Sequence, residues 1–370
     1  MHNIHLLSGV GVIFFIDFYI LILTFLLVGV IIAWYLTLRS IAMLDPIFNS
    51  QLMNSLLTQP WFQLVFIVII SVLASTKATL QSFVCKKHIR NSQDSILYNT
   101  FFFVFVALFL ALTINITTPN KEIIIWAFIH AALTIAFQVF YSMSLSAGPV
   151  FITILLISFC VVVPTFVSAV AFKESIFYSQ LLGIICLLIS FPLSVKDNGE
   201  GGKKANKKWL ILTIITIIAD SLAMTLQKMF RITESYKAYG ELASNTFLVI
   251  VYNFGAIMAL GVYYAIRFFG NKENGANKHT FKIGFGVILF ALAMGLDLAI
   301  YQKCYMTANL KIPGSFFFPT FMGLQTTVMT VIGVIIFGDR LNKRQLVGVA
   351  FGILSIIMLN IQFGSSFVIG

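Results

Sequence analysis

Long apolar stretches follow one another along this chain, each bounded by a few polar or charged residues. They fall at about 9–37, 61–84, 97–115, 122–146, 149–172, 177–195, 208–230, 245–269, 281–306, 312–337 and 344–364. A helix needs about 20 apolar residues to cross the roughly 30 Å hydrocarbon layer of a bilayer, so each stretch is predicted as a membrane helix. A membrane β-barrel would instead show alternating strands of about 10 residues separated by turns.

The polar positions inside these stretches repeat. Thr79-Leu80-Gln81 returns as Thr225-Leu226-Gln227, Asn99-Thr100-Phe101 as Asn245-Thr246-Phe247 and Ser75 as Ser221, all 146 residues on. Further along, Phe172, Gln180, Leu181, Gly183 and Ser190 return as Phe337, Gln345, Leu346, Gly348 and Ser355, now 165 residues on. The 19-residue change of offset falls at a polar insert, Gly270 to His279. One unit of five helices is therefore written twice, at 60–195 and 208–364, with a basic linker at 196–207. Internal duplication of this kind is a mark of secondary transporters. The stretch at 9–37, with Asp17 inside it, has no match in the second copy. It is predicted as an extra amino-terminal membrane segment within residues 1–52, either an uncleaved signal anchor or residues ahead of a true start at Met53.

Composition agrees with the pattern. Hydrophobic residues make up 59% of the chain and charged residues 10%, against about 25% charged in soluble domains. The net charge of +11 is not a nucleic-acid footprint, because the cations lie in short loops. Lys86, Lys87, His88 and Arg90 form one group, and Lys203, Lys204, Lys207 and Lys208 another. Arg267, Lys272 and Lys278 lie beside or within the insert, and Arg340, Lys343 and Arg344 precede the last helix. The intervening loops are nearly neutral, so the basic set is expected in the cytoplasm and the carboxyl terminus outside. Five helices is an odd number, so the second copy is inverted relative to the first. The expected fold is thus an all-α membrane protein, a ten-helix bundle of two inverted five-helix repeats plus one extra amino-terminal helix.

The segment at 172–190 (FKESIFYSQLLGIICLLIS) and its counterpart at 337–355 (FGDRLNKRQLVGVAFGILS) share one layout. A helix end is followed by an acid, a short polar loop and Gln-Leu-x-Gly opening the next helix. This layout resembles the junction of the fourth and fifth helices in the EamA-like branch of the drug/metabolite transporter superfamily, over residues 60–364 or so. The resemblance implies two inverted five-helix repeats around a substrate cavity lined by the first, third and fourth helices of each. Glu174 and Asp339 precede helix starts, where amide dipoles favour a carboxylate, so a capping or interfacial role is expected, with gating as the alternative. Gly148, Gly314, Gly323 and Gly333 are expected to let helices approach closely.

Ionisable residues within the apolar helices are the functional candidates, because each costs at least about 2.5 kcal/mol at the bilayer centre if unpaired. Asp220, Lys77, His130 and Asp297 are such residues. Helical spacing adds neighbours. His130, Thr134, Gln138 and Tyr141 make one stripe, Asp297, Tyr301, Cys304 and Tyr305 another, and Asp220 shares a face with Met224 and Gln227 as Lys77 does with Gln81. The candidate substrate or proton pathway is therefore Asp220, Asp297, His130, Lys77, Gln81, Gln138, Tyr141, Gln227 and Tyr301. Helix depth allows an Asp220–Lys77 pair and a His130–Asp297 hydrogen bond. The bland alternatives are a snorkelling lysine and separately satisfied core groups.

No phosphate loop, His-Glu-x-x-His or Cys-x-x-Cys occurs, so no metal or other cofactor is expected. Cys85, Cys160, Cys186 and Cys304 read as small apolar residues. The pattern predicts a secondary transporter of a small organic metabolite or drug in the cell membrane and not an enzyme. Its partners are a small-molecule substrate and the bilayer, with a homodimer left open. A transporter of a lipid-linked metabolite, an intramembrane enzyme using Asp220, Asp297 and His130, and a scaffolding protein are the alternatives.

Overall fold

The computed structural model describes residues 51–87, 89, 92–148, 150–195, 206–270, 285–336, 343–360 and 366–368. The predicted helix at 9–37, most of the polar insert, and Asp339 lie outside these residues. The described chain is almost wholly helical. In order it forms α1 (Gln51–Leu57), α2 (Pro60–Lys87), α3 (Ser92–Thr113), α4 (Lys121–Ala147), α5 (Val150–Ile157) and α6 (Val162–Phe172). Then come β1 (Ser175–Phe177), α7 (Tyr178–Val195), α8 (Lys207–Met229), α9 (Glu234–Tyr239), α10 (Glu241–Gly270), α11 (Phe285–Lys311), α12 (Gly314–Ile336), α13 (Lys343–Asn360) and β2 (Ser366–Val368). Six of these helices, α2, α3, α4, α8, α10 and α11, are long and apolar enough to cross a membrane. That is the make-up of a multi-pass membrane protein.

Local chemistry sets the ends. The Asn120 side chain accepts a hydrogen bond from the Ile123 amide at 2.9 Å, and that of Asn206 accepts one from the Trp209 amide at 2.7 Å, each capping the helix that follows. Helix α11 runs to Lys311, five residues past the predicted 306, because its polar last turns are neutralised. Lys303 Nζ reaches Glu241 Oε1 at 2.7 Å and Asn245 Oδ1 at 2.6 Å, and Lys311 Nζ reaches Glu241 Oε2 at 3.3 Å.

The stretch predicted as one helix at 149–172 is broken. A 3-10 turn at Ser158–Val161 separates α5 from α6. Pro164 lacks the amide that would bond the Cys160 carbonyl. Ser221 Oγ on α8 donates to that carbonyl instead, at 3.0 Å. Pro319 within α12 frees the Ser315 carbonyl in the same way, and Gln180 Nε2 on α7 donates to it at 2.9 Å.

Each helix pair in contact defines the bundle. Helix α7 packs on α13, α4 on α8, α3 on α10, and α2 on both α11 and α12. Helix α10 also meets α4, α11 meets α3, and α6 meets α8 and α12. Small residues permit the close approaches. A Cβ on Gly148 would stand 2.2 Å from Cδ1 of Trp209, and one on Gly314 2.1 Å from Oγ of Ser168. The outward faces are apolar at helical spacing. On α2 the exposed positions include Val65, Val68 and Val72, and on α8 they include Ile211, Ile214 and Ile218.

The near-neutral loops meet on one side. Ser175–Phe177 pairs antiparallel with Ser366–Val368, bringing the last described residues beside the turn after α6. Glu122 accepts hydrogen bonds from the amide and hydroxyl of Ser235, and Asn120 Nδ2 donates to Ser235 Oγ at 2.7 Å. The charge alternation leads to the expectation that this side faces outside. Cysteine at exposed Thr118 is expected to react with a membrane-impermeant thiol reagent in intact cells, and cysteine at exposed Lys207 to be spared. Neither position is one of the two capping asparagines. Labelling at 207 and not at 118 would reverse the orientation.

Candidate functional site

A cavity of about 110 Å³ lies within the bundle. In this measure it has room for several water molecules or one small polar solute. Its wall draws on α2, α4, α5, α8, α10, α11 and α12.

Seven of the nine candidates from the sequence line it, namely Lys77, His130, Gln138, Tyr141, Asp220, Gln227 and Tyr301. Lys77 enters from α2 with its ammonium over three rings. It stands 5.4 Å from the centroid of Tyr141, 5.5 Å from that of Phe137 and 6.0 Å from that of Phe102. Such contacts stabilise a cation removed from water. Asp220 enters from α8, half-buried, near the Cys160 thiol of the 3-10 turn, which donates to Met224 Sδ at 3.6 Å. Lys77 and Asp220 act on each other through space. Among the described residues they form no direct ion pair, so the proposed contact between them is replaced by two charges facing one cavity.

The other two candidates sit behind the wall. Gln81 is fully buried and donates to Gln138 Oε1 at 3.1 Å and to Ser142 Oγ at 2.9 Å. It orients Gln138 and ties α2 to α4. Asp297 is fully buried on α11, and neither carboxylate oxygen has a hydrogen-bond partner among the described residues. The charge of Lys77 reaches it from α2. His130 shares a hydrogen bond of 3.1 Å between its Nδ1 and Thr134 Oγ1, and its ring meets Phe247 edge-on with centroids 5.3 Å apart. Its Nε2 has no partner among the described residues. The envisaged His130–Asp297 hydrogen bond is absent. Helix α4 packs on α8 and α10, whereas α11 packs on α2 and α3, so the two side chains serve different neighbours.

Sequence reasoning missed part of the wall. Tyr252, Gln302, Gln325 and Ser158 line the cavity as well. Gln302 and Gln325 carried a signal, being amides within apolar stretches, while Tyr252 and Ser158 carried none. Lys228 was missed too. It is 1% exposed, and its Nζ donates to the carbonyls of Asn309 and Ile312, each at 2.8 Å. Placed in the last turn of a predicted helix, it reads as an ordinary snorkelling lysine.

Lys228 belongs to a polar cluster on the side of the near-neutral loops. Its Nζ lies 3.8 Å from Glu174 Oε1. Glu174 Oε2 accepts from the Ser315 amide at 2.8 Å and from Ser168 Oγ at 3.2 Å. Glu174 thus caps a helix, but α12 rather than the one following it in sequence. Gln180 takes the carbonyl of the same Ser315. The acid and the glutamine of the 172–190 segment together clamp the first turn of α12.

No family model matches the chain, and no curated protein does. Among solved structures, a chain described only as a crystal structure of a protein superposes with a TM-score of 0.52 at 11% identity. The match covers 81% of this chain and 96% of that one. At that identity the likeness is one of fold alone.

Proposed function

We propose that this protein is a secondary transporter of a small organic solute, working by alternating access between two inverted five-helix repeats. The repeats are α2–α7 and α8–α13, as in the EamA-like branch of the drug/metabolite transporter superfamily. The observation that carries the reading is the cavity itself, into which helices of both halves turn charged groups, Lys77 from one and Asp220 from the other. Buried ionisable groups in membrane helices are costly, and a solute pathway is their usual reason.

Matched positions support the duplication. Ala74, Lys77 and Ala78 line the cavity from α2, and Asp220, Ala223 and Met224, each 146 residues on, line it from α8. Exposed Val65, Val68 and Val72 correspond at that offset to exposed Ile211, Ile214 and Ile218. Ser221 donates to the Cys160 carbonyl, and Ser75 approaches the Gln325 carbonyl at 3.5 Å. Gln325 is Cys160 displaced by 165 residues, so one crossing contact is made twice. The exchange of α2 with α8 and of α4 with α11 turns one set of helix contacts into the other. The enzymatic alternative fares worse, because Asp297 lies outside the cavity that holds Asp220 and His130.

Two measurements test this reading. Purified protein in proteoliposomes is expected to catalyse counterflow of a labelled solute without ATP. Cysteine in place of cavity-lining Tyr301 is expected to react with a small hydrophilic thiol reagent and to be protected by that solute, while cysteine in place of Asp297 stays inert. Inertness at 301 in folded, inserted protein, with no counterflow across a metabolite panel, would overturn the proposal.

A further inference from the structure

We infer that the solute held in this cavity is a small zwitterion, with a cationic end directed at Asp220 and a carboxylate end at Lys77. The inference deepens the transport proposal and rests on it for the claim that the bound solute is moved. It starts from unused hydrogen-bonding capacity. A lysine ammonium has three donors and a carboxylate about four acceptor sites. Among the described residues no acceptor meets Lys77 Nζ within hydrogen-bond distance, and the rings of Phe102, Phe137 and Tyr141 lie around it. Asp220 has no cation in contact, and the Cys160 thiol near it donates to Met224 Sδ at 3.6 Å.

Each charge alone would select an ion of opposite sign. Both on one wall of about 110 Å³ disfavour a singly charged solute, because its single charge leaves one of the two protein charges unmatched in a site drawn away from water. A zwitterion satisfies both and adds no net charge to the membrane interior. Asp297 changes the field at Lys77 without entering the contact, since its oxygens are shut behind the wall. The remaining wall mixes aromatic rings, Tyr141, Tyr301 and Phe321 among them, with glutamine amides such as Gln302 and Gln325, and the rings give an apolar substituent a surface between the two charged ends. An amino acid with a short apolar side chain has this chemistry.

The test separates charge from shape. Alanine, leucine and phenylalanine are each offered as the free amino acid, as the amide, which is only cationic, and as the N-acetyl acid, which is only anionic. Binding is read on purified wild-type protein in detergent as a rise in the unfolding midpoint with ligand concentration. At least one free amino acid is expected to raise the midpoint at concentrations where its amide and N-acetyl forms do not. Asp220→Asn is expected to weaken that free acid at least tenfold and to narrow its advantage over the N-acetyl form. Lys77→Gln is expected to narrow its advantage over the amide. A singly charged form that binds as well as its free acid, or no shift with any of the nine compounds, overturns the inference. The wild-type panel stands even if a variant fails to fold. Counterflow with the same compounds separates the two claims. Zwitterion binding with no counterflow would sink transport and keep the site, while counterflow of other solutes without zwitterion binding would do the reverse.

Discussion

Replacing Lys228 by methionine is expected to destabilise the protein by about 3–5 kcal/mol, the usual cost of removing one member of a buried charged cluster. Methionine fits the space and keeps the packing, so the loss isolates the ammonium. That ammonium does two jobs. It donates to the carbonyls of Asn309 and Ile312 at the end of α11, which have no further helical turn to bond them. It also balances Glu174, whose side chain is 11% exposed. Without it, two carbonyls and a carboxylate are left in a region of low dielectric. Glu174→Gln is expected to cost less, about 1–2 kcal/mol, because the amide oxygen still accepts from the Ser315 backbone. Equilibrium unfolding in mixed micelles measures both. Equal stability of Lys228→Met and wild type would mean that water reaches the cluster and carries the carbonyls.

Gly148→Ala is expected to cost about 1–3 kcal/mol, the range for overpacking a filled interior. The new methyl group would meet Cδ1, Nε1 and Cγ of Trp209 at 2.2, 2.4 and 2.6 Å. The indole cannot retreat, since it is fully buried and its Nε1 donates to Thr153 Oγ1 at 2.8 Å. Ser144 and Thr213, bonded at 2.7 Å, hold α4 and α8 at the same separation. The measurement is a double-mutant cycle with Trp209→Phe, which gives up the Thr153 bond and occupies less space. The two substitutions are expected to couple by about 0.5–3 kcal/mol, with Gly148→Ala better tolerated beside phenylalanine. Strict additivity would show that the ring already moves aside.

Hydropathy alone made the long helices legible, because a membrane span must be apolar over nearly its whole length. It misled where polar residues are neutralised by neighbours distant in sequence. The last turn of α11 looks like a loop until Glu241 is seen beside Lys303 and Lys311. The break between α5 and α6 was hidden for a related reason. Pro164 is visible in the chain, but the hydroxyl that makes its break tolerable is Ser221, on another helix. Of the candidate side chains, Lys77 and Asp220 were legible as charges that lipid would not accept. Asp297 met the same criterion yet lies outside the cavity, since cost identifies a buried charge and not the direction in which it points. Stripe spacing explains the rest. It brought Gln138 and Tyr141 to the wall with His130, but could not foresee that Gln81 would bond to Gln138 from behind.

The two prolines have a kinetic consequence. Each leaves a backbone carbonyl that a side chain from another helix must satisfy, Ser221 for Cys160 and Gln180 for Ser315. A carbonyl stripped of its partner inside the hydrocarbon layer costs several kcal/mol until water or a new donor arrives. Relative sliding of these helices therefore cannot be smooth. It must pass over a crest at which the old hydrogen bonds are gone and replacements have not come. The height of that crest is set by how readily water follows the parting helices, so under the proposed alternating access the turnover rate is expected to depend on hydration of the helix junctions as much as on the solute.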